Sequence, residues 1–314
     1  MVDGVTALIC PPYLPVARVP AVARSRGAAP AWRVLAIMLS LVAVLVAALG
    51  FGVDRHDLPT LAAMQVFLVA AAAAARARGW TRSATAVEAA VLVFAATMAT
   101  VCLSVLFATT AFPYRDAWLD AADRLLVPGP AWRTMFDALH AHPLVIRAMC
   151  AVYRTLLWQP FLLVALLAAH GEEGRCWRFV HAWFLALVAC LVVFPFMPAA
   201  GEYVWRGLSP GDIPALNVDT AWRQVAVLDR IRSGALRTLS PAAMTGLISC
   251  PSFHAAGATL LAWGFGRMRG IGAPFVVLNV AMAATAPLVG AHYFIDIAGG
   301  IGIALLAIRA AECA

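Results

Sequence analysis

Apolar runs close to twenty residues long recur along this chain, and no other feature restricts its fold as much. A membrane-crossing helix needs roughly 20 consecutive apolar residues, with about 17 as the lower limit. On that rule the sequence holds eight candidate spans, at about 34–52, 59–75, 84–112, 144–168, 177–196, 254–267, 273–290 and 293–310. The third is long enough to tilt, and the sixth is short and leans on its flanking loop. Composition agrees: 63% of the residues are hydrophobic and 12% are charged, whereas a soluble domain is about half apolar and about a quarter charged. The expected fold is an all-α, polytopic membrane helix bundle of about eight spans.

The net charge of +7 comes from arginine alone, because the chain contains no lysine. In a membrane protein that charge belongs on cytoplasmic loops, so nucleic acid is not an expected partner. With the N-terminus placed inside, the dense arginine clusters share one side: Arg18, Arg24, Arg26 and Arg33, then Arg76, Arg78 and Arg82, then Arg175 and Arg178, then Arg267 and Arg269, and Arg309. The opposite short connection, VDRHD from Val53 to Asp57, is net acidic. Both termini are therefore expected in the cytoplasm. Residues 1–33 read as a flexible cytoplasmic tail without the pattern of a signal peptide. Residues 34–112 read as accessory spans, and 113–310 as the functional bundle. The seven cysteines are scattered and form no CxxC pair, so neither a metal nor another cofactor is implied.

Two long outer segments, 113–143 and 197–252, mix arginines with acids. RDAWLDAADRLL and AWRTMFDALHAH, parted by VPGP, predict two short interfacial helices split by a turn. In DTAWRQVAVLDRIRSGALRTLSP, Trp222, Val225, Leu228, Ile231, Ala235 and Leu239 recur at helical spacing. Asp219 or Thr220 is placed to cap that helix and Pro241 to end it, with Arg223, Arg230 and Arg237 on one face.

The chemistry lies in SCPSFHAAG, Ser249–Gly257, and GAHYFIDIAGG, Gly290–Gly300. His254 stands at the outer mouth of the sixth span, and the hairpin through GRMRG returns His292 to the same level. Asp296, four residues on, shares a helical face with His292 and can take one ring N–H, fixing the tautomer. An acid near the start of a span is by default functional. Pro251 and Ser252 sit where a helix cap belongs, and the unpaired N–H groups there favour an anion. With phosphate as that anion, one histidine attacks phosphorus and the other protonates the leaving oxygen.

PSFHAAG and HYFID with its trailing AGG resemble the second and third signature motifs of the type 2 phosphatidic acid phosphatase superfamily. The similarity is greatest to the branch holding inositol phosphorylceramide synthase and its bacterial relatives. The resemblance implies a metal-free reaction on a phosphorylated lipid through a phosphohistidine. It makes His292 the nucleophile, Asp296 its orienting partner and His254 the general acid, with Ser252 and nearby amides on phosphate oxygens. With both termini inside, the enzyme is expected in the cell (inner) membrane with its site facing the periplasm or exterior.

The family's first motif, Lys, six residues, Arg-Pro, reads here as CLVVFPFMP, with Pro198 kept but Cys190 and Met197 in the basic places. Thr285 and Ala286 replace the Ser-Arg that precedes the third motif's histidine. A diester carries less charge than a monoester, so the loss of these cations favours headgroup transfer. Arg154, near Tyr153 and Gln159, is expected to face the bundle interior as a replacement cation or as half of a structural ion pair. With Ser252, Pro251 and Tyr293, these three complete the candidate substrate contacts. Three readings stand: a lipid phosphatase, a headgroup transferase of the inositol phosphorylceramide synthase type, and a non-catalytic protein that kept the fold.

Overall fold

Runs of alanine, leucine and valine leave a chain in lipid only one local solution, since each backbone N–H must find its carbonyl within the same segment. The structure, a computed structural model, describes residues 27–56, 58–127, 129–216, 220–240 and 246–313. Its helices run α1 (Ala29–Leu49), α2 (Leu58–Ala77), α3 (Thr81–Phe107), α4 (Asp116–Leu126), α5 (Ala131–Leu139), α6 (Pro143–Arg154), α7 (Gln159–Ala169), α8 (Glu173–Val193), α9 (Glu202–Trp205), α10 (Thr220–Arg232), α11 (Phe253–Gly266), α12 (Gly272–Val289) and α13 (Phe294–Cys313). The one sheet among the described residues is a parallel pair, β1 (Gly52–Val53) and β2 (Thr238–Leu239), with Gly52 opposite Thr238.

Six helices are long and apolar enough to cross a membrane: α1, α2, α3, α8, α12 and α13. The segment expected to be one span at 144–168 is not one rod but the pair α6 and α7, bent by 50°, with the geometry of a broken span or a re-entrant loop. Pro160 explains the break: proline is tolerated in the first turn of a helix and not in its interior, so the chain starts α7 anew. The expected sixth span is α11, whose 14 residues reach only about 21 Å at ~1.5 Å per residue, short of a ~30 Å hydrocarbon core.

The core forms where α3, α8, α11 and α13 pack, with Leu92, Phe179, Trp183, Leu260, Leu261 and Ala304 all buried. In α3 and α8 56% of the spanning window is buried, against 11% in α1 and α2, so the first two helices line the bundle's margin. Glu88 ties α3 to both: Trp32 Nε1 donates to it at 2.9 Å and Arg76 at 2.6 Å.

Three expectations are corrected. Of the tail 1–33, residues 1–26 lie outside the described residues, but Ala29–Arg33 already belong to α1, which Pro30 opens. The helix expected to run from Trp222 to Leu239 closes at Arg232, where the Leu236 N–H turns back to the Arg230 carbonyl at 2.8 Å. Arg237 therefore leaves the shared arginine face and stacks over Phe51 at 5.4 Å. The proposed caps Asp219 and Pro241 lie outside the described residues. Finally, α4 faces opposite to a simple surface helix. Asp116, Asp120 and Asp123 point inward while Trp118 and Leu125 stand exposed, because the donors lie inside.

Candidate functional site

Two contacts lock the signature segments together. The Ser252 N–H donates to the Asp296 carbonyl at 3.0 Å, tying the start of α11 to α13. Gly300, one turn further along α13, lies so close that a Cβ there would meet the Ser252 carbonyl oxygen at 2.1 Å. Only glycine admits that approach. Ser252 caps α11 as expected, its hydroxyl accepting from the Ala255 N–H at 3.3 Å.

His254 and His292 meet at this end of the bundle, with ring centroids 6.4 Å apart and planes inclined at 52°. Two nitrogens that each approach one phosphorus at ~3–3.5 Å need a separation of this size. His292 Nδ1 lies 3.2 Å from Asp296 Oδ2, which also accepts the Tyr293 N–H at 3.1 Å. A carboxylate only accepts, so Nδ1 carries the hydrogen and Nε2 is left with its lone pair. Asp296 is 2% exposed, and its Oδ1 has no partner among the described residues. Tyr153 stacks face to face on His254 at 3.9 Å and 12°, fixing that ring's plane. Gly290 makes room for both rings: a Cβ there would lie 2.5 Å from the Tyr153 hydroxyl and 2.6 Å from His292. Ala291, just before His292, holds φ 57°. That left-handed conformation is strained for a residue with a side chain and is maintained by its surroundings.

Acids that sequence reasoning missed hold this segment in place. Asp116 accepts the Ala200 and Gly201 N–H groups, both at 2.9 Å, and the Tyr293 hydroxyl at 2.8 Å. Asp123 accepts the Phe294 and Ile295 N–H groups at 2.8 and 2.7 Å and so caps α13 from another helix. Asp120 pairs with Arg124 at 2.7 Å and with Arg206 at 3.2 Å, and Glu202 with Arg206 at 2.5 Å. The only signal in the sequence was the spacing of Asp116, Asp120 and Asp123, which puts three acids on one helical face. Burial pushes the Glu202 carboxyl up to about 7, against the pull of Arg206.

The remaining candidates divide. Tyr293 is buried with its hydroxyl held by Asp116. Pro251 is buried against Gly299. Gln159 is fully buried, donating to Thr155 at 2.7 Å and accepting from Asn279 at 2.7 Å, so both ends of its amide join helices. Arg154 is exposed rather than turned into the bundle. One residue is about 100° of helix, and Tyr153 takes the inward place. The small cavity at His292 is lined by Tyr293, Asp296, Ala199–Gly201, Gly290, Ala291, Ser249 and Gln224, with no arginine among them. At the replaced signature positions, Cys190 and Ala286 are fully buried and Thr285 donates to the Met282 carbonyl.

A family model described as PAP2 superfamily matches residues 117–310, more than half of the chain. The chain belongs to the PAP2 superfamily. The matched region begins one residue into α4 and ends within α13, so it includes Asp120, Asp123 and both histidines, with Asp116 just before it. It supports a phosphatase-type or phosphotransferase-type enzyme acting on a phosphorylated lipid. No curated protein matches the chain, and no solved structure does.

Proposed function

We propose that this PAP2 protein is a membrane phosphotransferase that moves a phosphorylated group from a lipid diester by way of a phosphohistidine on His292. The observation that supports it most is the pair of imidazoles 6.4 Å apart, one of them held by a buried carboxylate. His292 Nε2 attacks phosphorus while the bond from phosphorus to the leaving lipid oxygen breaks, and His254, as imidazolium, gives that oxygen its proton. An acceptor hydroxyl then attacks the phosphohistidine, losing its proton to His254 and releasing His292. Asp296 holds Nδ1–H throughout and stabilises the positive ring, and Tyr153 keeps His254 in plane.

A diester is favoured over a monoester because the His292 cavity carries no side-chain cation among its described lining. A dianion there would have only backbone N–H groups, the Ser252 hydroxyl and the His254 imidazolium to balance it, whereas a diester phosphate has a single charge. This agrees with headgroup transfer of the inositol phosphorylceramide synthase type, with water as the competing acceptor in a phosphatase. The distribution of arginines supports a site on the outer face of the cell membrane, opposite Arg76, Arg78, Arg175 and Arg267. Arg154 and Gln159 are not carried forward as substrate contacts. Ser252 is, with its hydroxyl hydrogen free to donate once the cap is made.

The test is purified protein in nanodiscs supplied with phosphatidic acid, or with a phospholipid diester plus a lipid alcohol. The proposal expects transfer of the headgroup phosphate to the alcohol and slow release of inorganic phosphate. Rapid monoester hydrolysis without transfer would replace it with the phosphatase reading.

A further inference from the structure

At the pole opposite the histidines, where α8 begins and α11 ends, a cleft is lined by Arg175, Arg178 and Arg267 together with Leu167, Trp263 and Gly264. Every polar side chain in that lining donates and none accepts: the set is three guanidiniums and one indole N–H. The Gly264 and Leu167 carbonyls of the lining are already engaged. The first accepts from Arg175 Nη2 at 2.8 Å and the second from the Glu172 N–H at 2.8 Å.

The three arginines are not equivalent. Arg175, its side chain 20% exposed, bonds Glu172 as well as Gly264, and Arg267, 67% exposed, faces Glu312 at 3.9 Å. Arg178 is half-buried, and its guanidinium has no hydrogen bond or ion pair among the described residues. An arginine that only biases topology can stay in water, as Arg267 does. A half-buried one has given up part of its hydration and gains from an anion fixed beside it. An ammonium there would meet three cations, and an apolar group or a hydroxyl would leave the charge of Arg178 uncompensated. Phosphate oxygens accept from guanidiniums in the forked geometry these favour. The enclosed space of about 10 Å³ holds one oxygen-sized group. The ligand therefore lodges a single oxygen there and keeps the rest of its phosphate at the surface of the bundle.

We infer that this cleft binds the phosphate of an anionic group at the membrane face opposite the histidines. Two sources share that chemistry, the headgroup of an anionic lipid lying beside α8 and α11 and a free phosphate compound in water. Leu167 and Trp263 give the rim an apolar side at the level where tryptophan meets lipid headgroups, which favours the lipid. The assignment is independent of any chemistry at His292.

The test uses full-length His292→Ala protein in neutral-detergent micelles, so that no lipid is consumed at the histidines. Dissociation constants are measured for phosphatidylglycerol, phosphatidylcholine and inorganic phosphate. Arg269 is exposed and outside the lining, so Arg269→Gln removes the same charge as Arg178→Gln without touching the cleft. Phosphatidylglycerol binding about fivefold or more tighter than phosphatidylcholine, and weakened about fivefold by Arg178→Gln, supports the lipid source. Arg269→Gln is expected to weaken it by less than about twofold. Binding of inorganic phosphate with the same dependence on Arg178, and no preference between the lipids, supports the free source. Arg267→Gln is the second variant, with a smaller loss of about twofold expected because that guanidinium is exposed. Equal affinity for the two lipids with no phosphate binding overturns the inference. Equal losses from Arg178→Gln and Arg269→Gln overturn it too, since they mark attraction to the whole basic surface rather than to the cleft.

Discussion

The two ends of α11 and α13 hold charges in opposite ways. At the histidine end, Asp116, Asp123, Glu202, His292 and Asp296 are each at most 7% exposed, and all five make hydrogen bonds across elements or to a nearby guanidinium. At the arginine end, Arg267 faces Glu312 at 3.9 Å with side chains 67% and 40% exposed. Trp263 donates to the same carboxylate at 3.3 Å, and Arg175 bonds Glu172 and the Gly264 carbonyl. Exposed pairs are screened and contribute little, so the arginine end is expected to tolerate change. Buried polar groups are bound to one geometry because an unmet bond there has no water to replace it. The bundle is rigid at the end where a reacting phosphorus would have to be positioned.

That contrast is open to attack from its strongest point downward. His292→Ala is expected to lower lipid turnover by about 1,000-fold or more while leaving the protein folded, and Asp296→Asn by about 10–100-fold; activity in nanodiscs with a circular dichroism control measures both. Asp116→Asn keeps one acceptor oxygen and loses the other, releasing either the Ala200 N–H or the Gly201 N–H with the Tyr293 hydroxyl, so kcat should fall about tenfold with KM nearly unchanged. A rise in KM alone would place Asp116 against substrate instead.

Glu202 gives a smaller, pH-dependent effect. Its carboxyl rises from an ordinary value of 4.5 to about 7 in the folded protein. The folded state therefore holds more protons than the unfolded state between these values, and stability falls as pH climbs through that window. Glu202→Gln should flatten this slope, as read from thermal midpoints taken across the window. Least of all, Arg267→Ala is expected to change activity by less than about twofold. A large loss there would erase the distinction between the ends.

Local rules made much of this legible in the sequence. Hydropathy placed a span at each of the six long apolar helices and over-reached at α11, while the Ser252 cap followed from PSFH and the His292–Asp296 pair from a spacing of four. What stayed hidden depended on distance along the chain. The Asp116–Tyr293 bond joins residues 177 apart, and nothing near either one signals it. Arg154 was misread for a different reason: depth in a span was taken as direction, though the adjacent Tyr153 fills the inward position. The bend between α6 and α7 had a visible cause in Pro160, but hydropathy averages over it.

The account's central claim is tested most directly by trapping the covalent intermediate. Wild-type protein mixed with a phospholipid diester and quenched within one turnover would be digested and sequenced by mass spectrometry under conditions that preserve phosphoramidate bonds. The account predicts a phosphoryl or phospho-headgroup adduct on the peptide containing His292, absent in His292→Ala. Full turnover with no adduct, or with the adduct on His254, would contradict it.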